Sequence, residues 1–358
     1  MKILAFETSC DETGIALVEG TKTGENFIFK THKAALLSQA ALHAPYGGVY
    51  PNLAKREHEK NLPILYKEFE DEQYDAVAVT VGPGLEPALW QGIEFAKKVA
   101  AEKNLPLLPT NHMEAHLISS LARRENDNYQ ITNIKLPVLA LLISGGHTEF
   151  VLMQEWFTYK IVGQTLDDAV GECFDKVARM LQLPYPGGPE ISRLATDARS
   201  KSQASTIKLP RPMLNSGTCD VSFSGLKTAA LYALKARSDL ALTQDEKAAF
   251  AAEFEDAVGD VFVAKTRQAL QETGAQTFVI GGGVAANNYL REKLQNLVQK
   301  DLPAGGQDLG VEMRLPELSI TGDNAIMIAQ AALARALSGK NDVQTGNLKA
   351  VGNLSIAS

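Results

Sequence analysis

Several scarcities narrow this chain before any motif is considered. It has three cysteines in 358 residues, Cys10, Cys173 and Cys219, widely spaced and with no C-x-x-C pair. That excludes a disulfide framework and a cysteine-rich zinc site, and it fits a reducing compartment. No apolar run approaches the roughly 18–20 residues that cross a bilayer. The opening Met1-Lys2-Ile3-Leu4-Ala5-Phe6 meets Glu7, Asp11 and Glu12 too soon for a secretory signal. The expectation is a cytoplasmic protein with no membrane contact. Basic charge is also short, 35 Lys and Arg against 42 Asp and Glu, for a net charge of -7. A nucleic-acid partner would therefore need a local basic patch. The candidate is the stretch 193–211, with Arg193, Arg199, Lys201, Lys208 and Arg211 against Asp197. Its Ser-rich middle reads as a surface loop, so a solvated loop and a binding patch are equally good readings.

Against these scarcities stands one compact motif, Asn111-His112-Met113-Glu114-Ala115-His116, directly after the apolar run Leu105-Pro106-Leu107-Leu108. Histidines four apart share a helix face, with Cβ atoms roughly 5–6 Å apart, so both imidazoles can reach one divalent metal. Thr110 or Asn111 can cap the helix. Glu114 points about 200° around the helix from His112, so it cannot be the adjacent base of an H-E-x-x-H protease. In isolation such a pair is more often two polar residues at a helix start, so the rest of the chain has to decide.

A duplication organises the rest. Strand 3–8, the turn Ser9-Cys10-Asp11-Glu12-Thr13-Gly14 and strand 15–18 are echoed by strand 138–143, the turn Ser144-Gly145-Gly146-His147-Thr148 and strand 149–153. Two such units predict two similar α/β lobes with a cleft between them. A strand at 76–81 leads through Gly82-Pro83-Gly84 into a helix. Helical periodicity covers 166–183 and 244–272, a strand at 277–280 runs into Gly281-Gly282-Gly283 and a helix from about 285, and Thr321-Gly322-Asp323-Asn324 caps a last helix, 325–337. Residues 1–111 with the helix 325–337 form the first expected lobe. Residues 112–324, with a helical insertion at about 163–272, form the second, and 338–358 form a flexible tail.

The turns at 144–148 and 281–283 are places where backbone N–H groups can face a phosphate, although neither is a Walker loop. Together they point to a nucleotide held between the lobes, with Asp11, Glu12, Asp175 and Asp323 as candidates for metal, ribose or general base. Asp323 is the one placed to enter as a third metal ligand from a separate element, and two His plus one carboxylate suit Fe(II), Zn or Mn.

The chain resembles the TsaD family of tRNA N6-adenosine threonylcarbamoyltransferases, also called Gcp or the Kae/Qri proteins. The matching segments include Glu7-Thr8-Ser9-Cys10-Asp11-Glu12-Thr13, Pro45-Tyr46-Gly47-Gly48-Val49, Gly82-Pro83-Gly84-Leu85, His112-Met113-Glu114-Ala115-His116 and Ser144-Gly145-Gly146-His147-Thr148. They continue through Asp167-Asp168-Ala169-Val170-Gly171-Glu172, Tyr185-Pro186-Gly187-Gly188-Pro189, Ser222-Phe223-Ser224-Gly225-Leu226-Lys227-Thr228, Gly282-Gly283-Val284-Ala285-Ala286-Asn287 and Asp323-Asn324-Ala325, in family order over about 1–337. The resemblance implies an actin-like, sugar-kinase-like two-lobed α/β fold. It implies His112, His116 and Asp323 as metal ligands, with iron(II) first and zinc as the alternative. It implies Leu142, Ile143, Ser144, Gly145, Gly146, Asp175, Gly188 and Asn287 as nucleotide and substrate contacts.

The implied reaction moves threonylcarbamoyl from threonylcarbamoyl-AMP to the exocyclic amine of adenosine 37 in tRNAs that read ANN codons, releasing AMP. Asp11 or Glu12 is then the candidate proton acceptor. The implied partners are tRNA, a TsaB-like paralogue and a TsaE-like ATPase. The chain departs from the family at Glu86-Pro87, at Gly322, which could shift Asp323, in the long segment 302–315, and in its tail. The rival reading is an ATP-dependent kinase or ATPase of the same superfold, against which the imidazole pair argues. A partner-binding paralogue without activity would need a broken ligand set, and all three ligands are present.

Overall fold

The structure, a computed structural model, describes residues 1–236, 242–301, 310–340 and 348–357. The chain divides into two compact units, Met1–Lys135 with Arg314–Ser358, and Leu136–Met313.

The first unit opens with β1 (Lys2–Glu7), β2 (Glu12–Thr23) and β3 (Asn26–Ser38), then α1 (Ala40–His43), a 3-10 turn Ala44–Tyr46 and α2 (Pro51–Tyr66). It continues through β4 (Ala76–Gly82), α3 (Glu86–Lys103), β5 (Leu107–Asn111), α4 (His112–Leu121), β6 (Arg123–Glu125) and β7 (Asn128–Ile131). The seven strands form one sheet in the order β5-β4-β1-β2-β3-β7-β6. β1 pairs antiparallel with β2, from Lys2 opposite Glu19 to Glu7 opposite Gly14, and parallel with β4. β1 and β4 are almost wholly buried, as apolar strands covered on both faces must be. Phe6 of β1 and Val79 of β4 pack in one core with Leu62 of α2 and Ile93 of α3. The C-terminal helix Ala325–Leu337 packs against β1, β2 and α4.

The second unit repeats the plan. It holds β8 (Val138–Ile143), β9 (Thr148–Glu155), β10 (Thr158–Gln164), α5 (Val170–Met180), α6 (Gly187–Ser200), α7 (Ser224–Lys235) and α8 (Gln244–Thr273). Next come β11 (Thr277–Gly281), a 3-10 turn Gly283–Ala286, α9 (Asn288–Asn296) and β12 (Glu312–Arg314); the helix Ala325–Leu337 is α10. The sheet order is β10-β9-β8-β11-β12, with β8 antiparallel to β9 and parallel to β11. The 30-residue α8 begins with a capping box, Thr243 with Glu246, and ends at left-handed Gly274. At Gly282 (φ +89) a side chain would collide with the Ile143 carbonyl, so only glycine lets this turn lie against β8.

Two expectations need correction. The unit boundary falls at 135/136 and 313/314, not at 111/112 and 324/325. α4 follows β5 without a break and packs on α10, while β7 pairs with β3 and carries β6 with it. Helix α4 and Asp323 therefore belong to the first unit. The tail is also not loose where it is described. The Val351 N–H donates to the Val81 carbonyl at 2.9 Å, Gly84 donates to Gly352 at 3.0 Å, and Leu348 and Ile356 are buried. Apolar residues within the polar tail supply that anchorage.

The Glu86-Pro87 departure is part of the same contact. Glu86 Oε1 accepts the Gly352 N–H at 3.2 Å, and Pro87 sits in the first turn of α3, where its missing N–H costs nothing. Of the segment 302–315, residues 302–309 lie outside the described residues, as do 341–347 and 358 of the tail. Among the described residues no helix is long and apolar enough to cross a membrane.

Candidate metal centre and nucleotide pocket

Helix α4 is started by Asn111, whose Oδ1 accepts the N–H groups of Met113 and Glu114 at 2.9 and 3.1 Å. This sets His112 and His116 on one buried face, with ring centroids 4.6 Å apart. Asp323 arrives from the turn before α10, its Oδ1 3.3 Å from His112 Nε2 and 3.0 Å from His116 Nε2. The three ligand atoms lie within 4.8 Å of one another. The extra Gly322 does not displace Asp323: Asn324 caps α10 by accepting from Met327 at 3.0 Å and donates to the Gly322 carbonyl at 2.7 Å.

Behind His112 stands a residue that sequence reasoning quoted without giving a role. Glu7, at the end of β1 and fully buried, lies 3.2 Å from His112 Nδ1 through Oε2. The same carboxylate accepts from Thr80 Oγ1 at 2.6 Å and from the Ser9 N–H at 2.5 Å. A carboxylate on the far ring nitrogen orients an imidazole ligand and raises its basicity. Burial by itself would lower His112, but the charges of Asp323 and Glu7 outweigh it and raise it to about 10. Burial opposes ionisation of Asp323 too, and the two histidines still hold it well below the usual range. His116 goes the other way, lowered chiefly by burial. Two imidazole nitrogens and one carboxylate oxygen converging in a buried pocket fit a divalent transition metal.

Glu12 opens β2 and Asp11 sits in the turn before it, buried. Burial, followed by the charges of Asp323 and Asp11, pushes Glu12 up to about 10. A cation on the trio would offset Asp323 and draw Glu12 down again.

The expected nucleotide contacts gather in the second unit. A cavity of about 630 Å³ is lined by Gly145, Phe174, Asp175, Gly188, Glu255 and Asn287, among others. Leu142 and Ile143 are fully buried in β8 and do not line it; their part is to place the turn that follows. Within that turn Ser144 Oγ accepts from Gly146 and His147 at 3.3 and 3.0 Å. These N–H groups are thus turned inward, not outward as the sequence suggested. Asp175 Oδ1 accepts the Gly187 N–H at 2.7 Å, which ties α5 to the start of α6.

Glu255 on α8 is the residue sequence reasoning missed. Its carboxylate accepts from Asn287 Nδ2 at 2.7 Å, Ser192 Oγ at 2.8 Å and Arg199 Nη1 at 2.5 Å. Asn287 also caps α9 through Oδ1, so it builds the pocket wall as well as lining it. The available signal was a glutamate at a core-facing position of an otherwise apolar helical stripe.

The basic stretch 193–211 is not a free cationic surface. Lys201 pairs with Asp197 at 2.9 Å and Lys208 with Glu253 at 3.1 Å, while Arg211 pairs with Glu253 at 2.6 Å and Asp260 at 3.0 Å. The acidic partners on α8 were too distant in sequence to be counted against it.

Comparison with known proteins decides the family. The model for TsaD, tRNA N6-adenosine threonylcarbamoyltransferase, matches residues 31–330. The chain belongs to the TsaD family. A relative from Aromatoleum aromaticum named tRNA N6-adenosine threonylcarbamoyltransferase is 41% identical over 96% of this chain and 94% of its own length. One of the same name from Thermosipho africanus is 38% identical over 99% and 100%. This TsaD-family chain is accordingly an enzyme, a transferase.

Among solved structures it is similar to HypF from T. kodakarensis, with a TM-score of 0.55 and 14% identity over 95% of this chain. The chain spans about half of that protein, 48%. At such low identity the likeness is one of fold alone. That fold, with its duplicated sheets, is the two-lobed actin-like, sugar-kinase-like α/β architecture.

Proposed function

We propose that this chain transfers the threonylcarbamoyl group of threonylcarbamoyl-AMP to the N6 amine of adenosine 37 in tRNAs reading ANN codons. The observation that carries the reading beyond the family name is the buried His112, His116 and Asp323 trio with Glu7 behind it. His112, His116 and Asp323 would hold a divalent metal, iron(II) or zinc, which when bound supplies a Lewis acid for the substrate's carboxylate and carbonyl oxygens. Asp175, Gly188 and Asn287 bind the adenosine part of the donor, and Gly145 lies at its phosphate.

The N6 nitrogen forms a bond to the carbamoyl carbon, and the bond from that carbon to the phosphate oxygen breaks. The amine's proton passes to Asp11 or Glu12, and AMP leaves with the bonding pair. Glu114 takes no part as a base, because its carboxylate is bound to Arg335. A TsaB-like paralogue and a TsaE-like ATPase are the partners this reading carries with it, and the cytoplasm its location. The rival, an ATP-dependent kinase or ATPase, has no use for a buried imidazole pair.

The test is transfer by the purified protein, with threonylcarbamoyl-AMP, an ANN-decoding tRNA and the partner proteins, followed by mass spectrometry of the tRNA nucleosides. Threonylcarbamoyladenosine at position 37 is the expected product. Phosphorylation of small metabolites from ATP, with unmodified tRNA, would favour the rival.

A further inference from the structure

Two histidines outside the metal trio, His43 on α1 and His58 on α2, are fully buried and unused by the chemistry above. His58 Nε2 lies 3.0 Å from the Cys10 carbonyl oxygen. A carbonyl only accepts, so Nε2 carries the hydrogen. Nδ1 of the neutral ring then accepts, 2.8 Å from Thr13 Oγ1 and 3.4 Å from Gln39 Nε2.

His43 is fixed from the other end. Its Nδ1 faces the Tyr50 backbone N–H at 3.2 Å. That group only donates, so the His43 hydrogen sits on Nε2, which donates to Gln39 Oε1 at 3.2 Å. The Gln39 amide is thereby oriented, with its nitrogen toward His58 and the Ala54 carbonyl. The Gln39 backbone N–H meanwhile donates to the Asp11 carbonyl at 3.0 Å. From Tyr50 to Cys10 each donor meets an acceptor, and both rings are neutral. Burial favours that state by lowering both.

We propose that His58, locked as its Nε2–H tautomer by Gln39 and His43, is a positioning residue for the transfer reaction. With the Gln39 N–H it pins the carbonyls of Cys10 and Asp11, and so it sets the direction of the Asp11 and Glu12 carboxylates. The proposal rests on the reading of those carboxylates as the proton-accepting pair. Between β1 and β2 the connection is four residues, 8–11, and β2 pairs with β3 from Glu12 onward. On that connection the His58 and Gln39 bonds fix the Cys10 and Asp11 carbonyls, and removing a buried donor leaves its carbonyl unsatisfied.

The experiment compares wild type, His58→Leu and His58→Gln in single-turnover transfer with threonylcarbamoyl-AMP and tRNA, alongside metal content and donor affinity. Because misplacing a reacting group by about 1 Å costs about 100-fold, His58→Leu is expected to slow transfer by about 10–100-fold, and His58→Gln, whose amide N–H can stand in for Nε2–H, to stay within about threefold of wild type. Donor affinity and metal content stay at the wild-type level in both variants. Transfer by His58→Leu at the wild-type rate overturns the proposal, and so does His58→Gln no faster than His58→Leu. Should His58→Leu fail to fold, the ring ¹⁵N shifts of His43 and His58 in wild type decide the matter: both are expected as neutral Nε2–H, and an Nδ1–H tautomer at His58 overturns the lock. A wild type that makes no modified nucleoside sinks the transfer reading itself, and the proposal with it, which is a different failure from that of the positioning claim alone.

Discussion

Arg335 on α10 donates through Nε to both carboxylate oxygens of Glu114 on α4, at 2.9 and 2.7 Å. Glu114 is only 2% exposed. The pair therefore clamps together the helix that bears His112 and His116 and the helix whose leading turn bears Asp323. The glutamate inside the His-x-x-x-His motif, the residue that most invites a catalytic role, instead holds the two ligand-bearing elements in register.

This clamp has a measurable cost when broken on one side. Arg335→Met leaves the buried Glu114 carboxylate without its guanidinium and should destabilise the protein by about 3 kcal/mol, whereas Arg335→Met with Glu114→Gln should recover most of that loss. Denaturant unfolding of the two variants and of Glu114→Gln closes the cycle. Additive losses would show that the two residues do not act as a pair.

Glu7 would act through His112 on a metal held by the trio. Glu7→Gln keeps the shape but removes the charge at Nδ1, so metal affinity should fall about 10–100-fold. His112→Ala and His116→Ala should abolish binding. Competition with a chelator, read by elemental analysis, gives the affinities. Wild-type retention of metal in His112→Ala would remove the trio from consideration.

Nucleotide binding and metal binding should separate. Asp175→Ala is expected to weaken a stable threonylcarbamoyl-AMP analogue by about 1–3 kcal/mol, through lost contacts and through release of the Gly187 N–H that Asp175 now holds. Its metal content stays normal. Asp323→Ala should lose metal, and transfer should collapse even at saturating donor. Calorimetric titration with parallel metal analysis tests both; metal loss in Asp175→Ala would reverse the two assignments.

Asp167 offers a pH test away from the metal. Burial works against its ionisation, but the hydroxyls of Ser222 and Ser224 and the N–H groups of Phe223 and Ser224 outweigh it and hold the carboxyl at about 2, below the usual 3.8. A depressed carboxyl stabilises the fold above its unfolded value and loses that contribution as pH falls through the folded one. Wild type should therefore be more stable than Asp167→Asn at pH 5, with the difference vanishing as pH falls from about 3.8 through about 2. The side chain is exposed, so screening keeps the effect small. Melting temperatures of both proteins from pH 6 to pH 2 would show it, and a pH-independent difference would rule it out.

Some of this was written locally in the chain. The pairing of His112 with His116 follows from helical spacing alone, and the hairpins β1–β2 and β8–β9 follow from apolar runs around short polar turns. Such features depend on residues a few positions apart, whose geometry one element dictates. The order of the motifs likewise carried the family, because it needs no coordinates. What the sequence did not determine is which distant groups face one another. Glu7 behind His112, Arg335 on Glu114, Glu255 beneath Asn287 and Ser192, and the α8 carboxylates Glu253 and Asp260 that pair with Lys208 and Arg211 all join residues dozens to hundreds of positions apart. So does the boundary that assigns α4 and Asp323 to the same unit. Periodicity tells which face of an element is buried and is silent about what it is buried against; only the packed sheets and helices bring those partners within hydrogen-bonding distance.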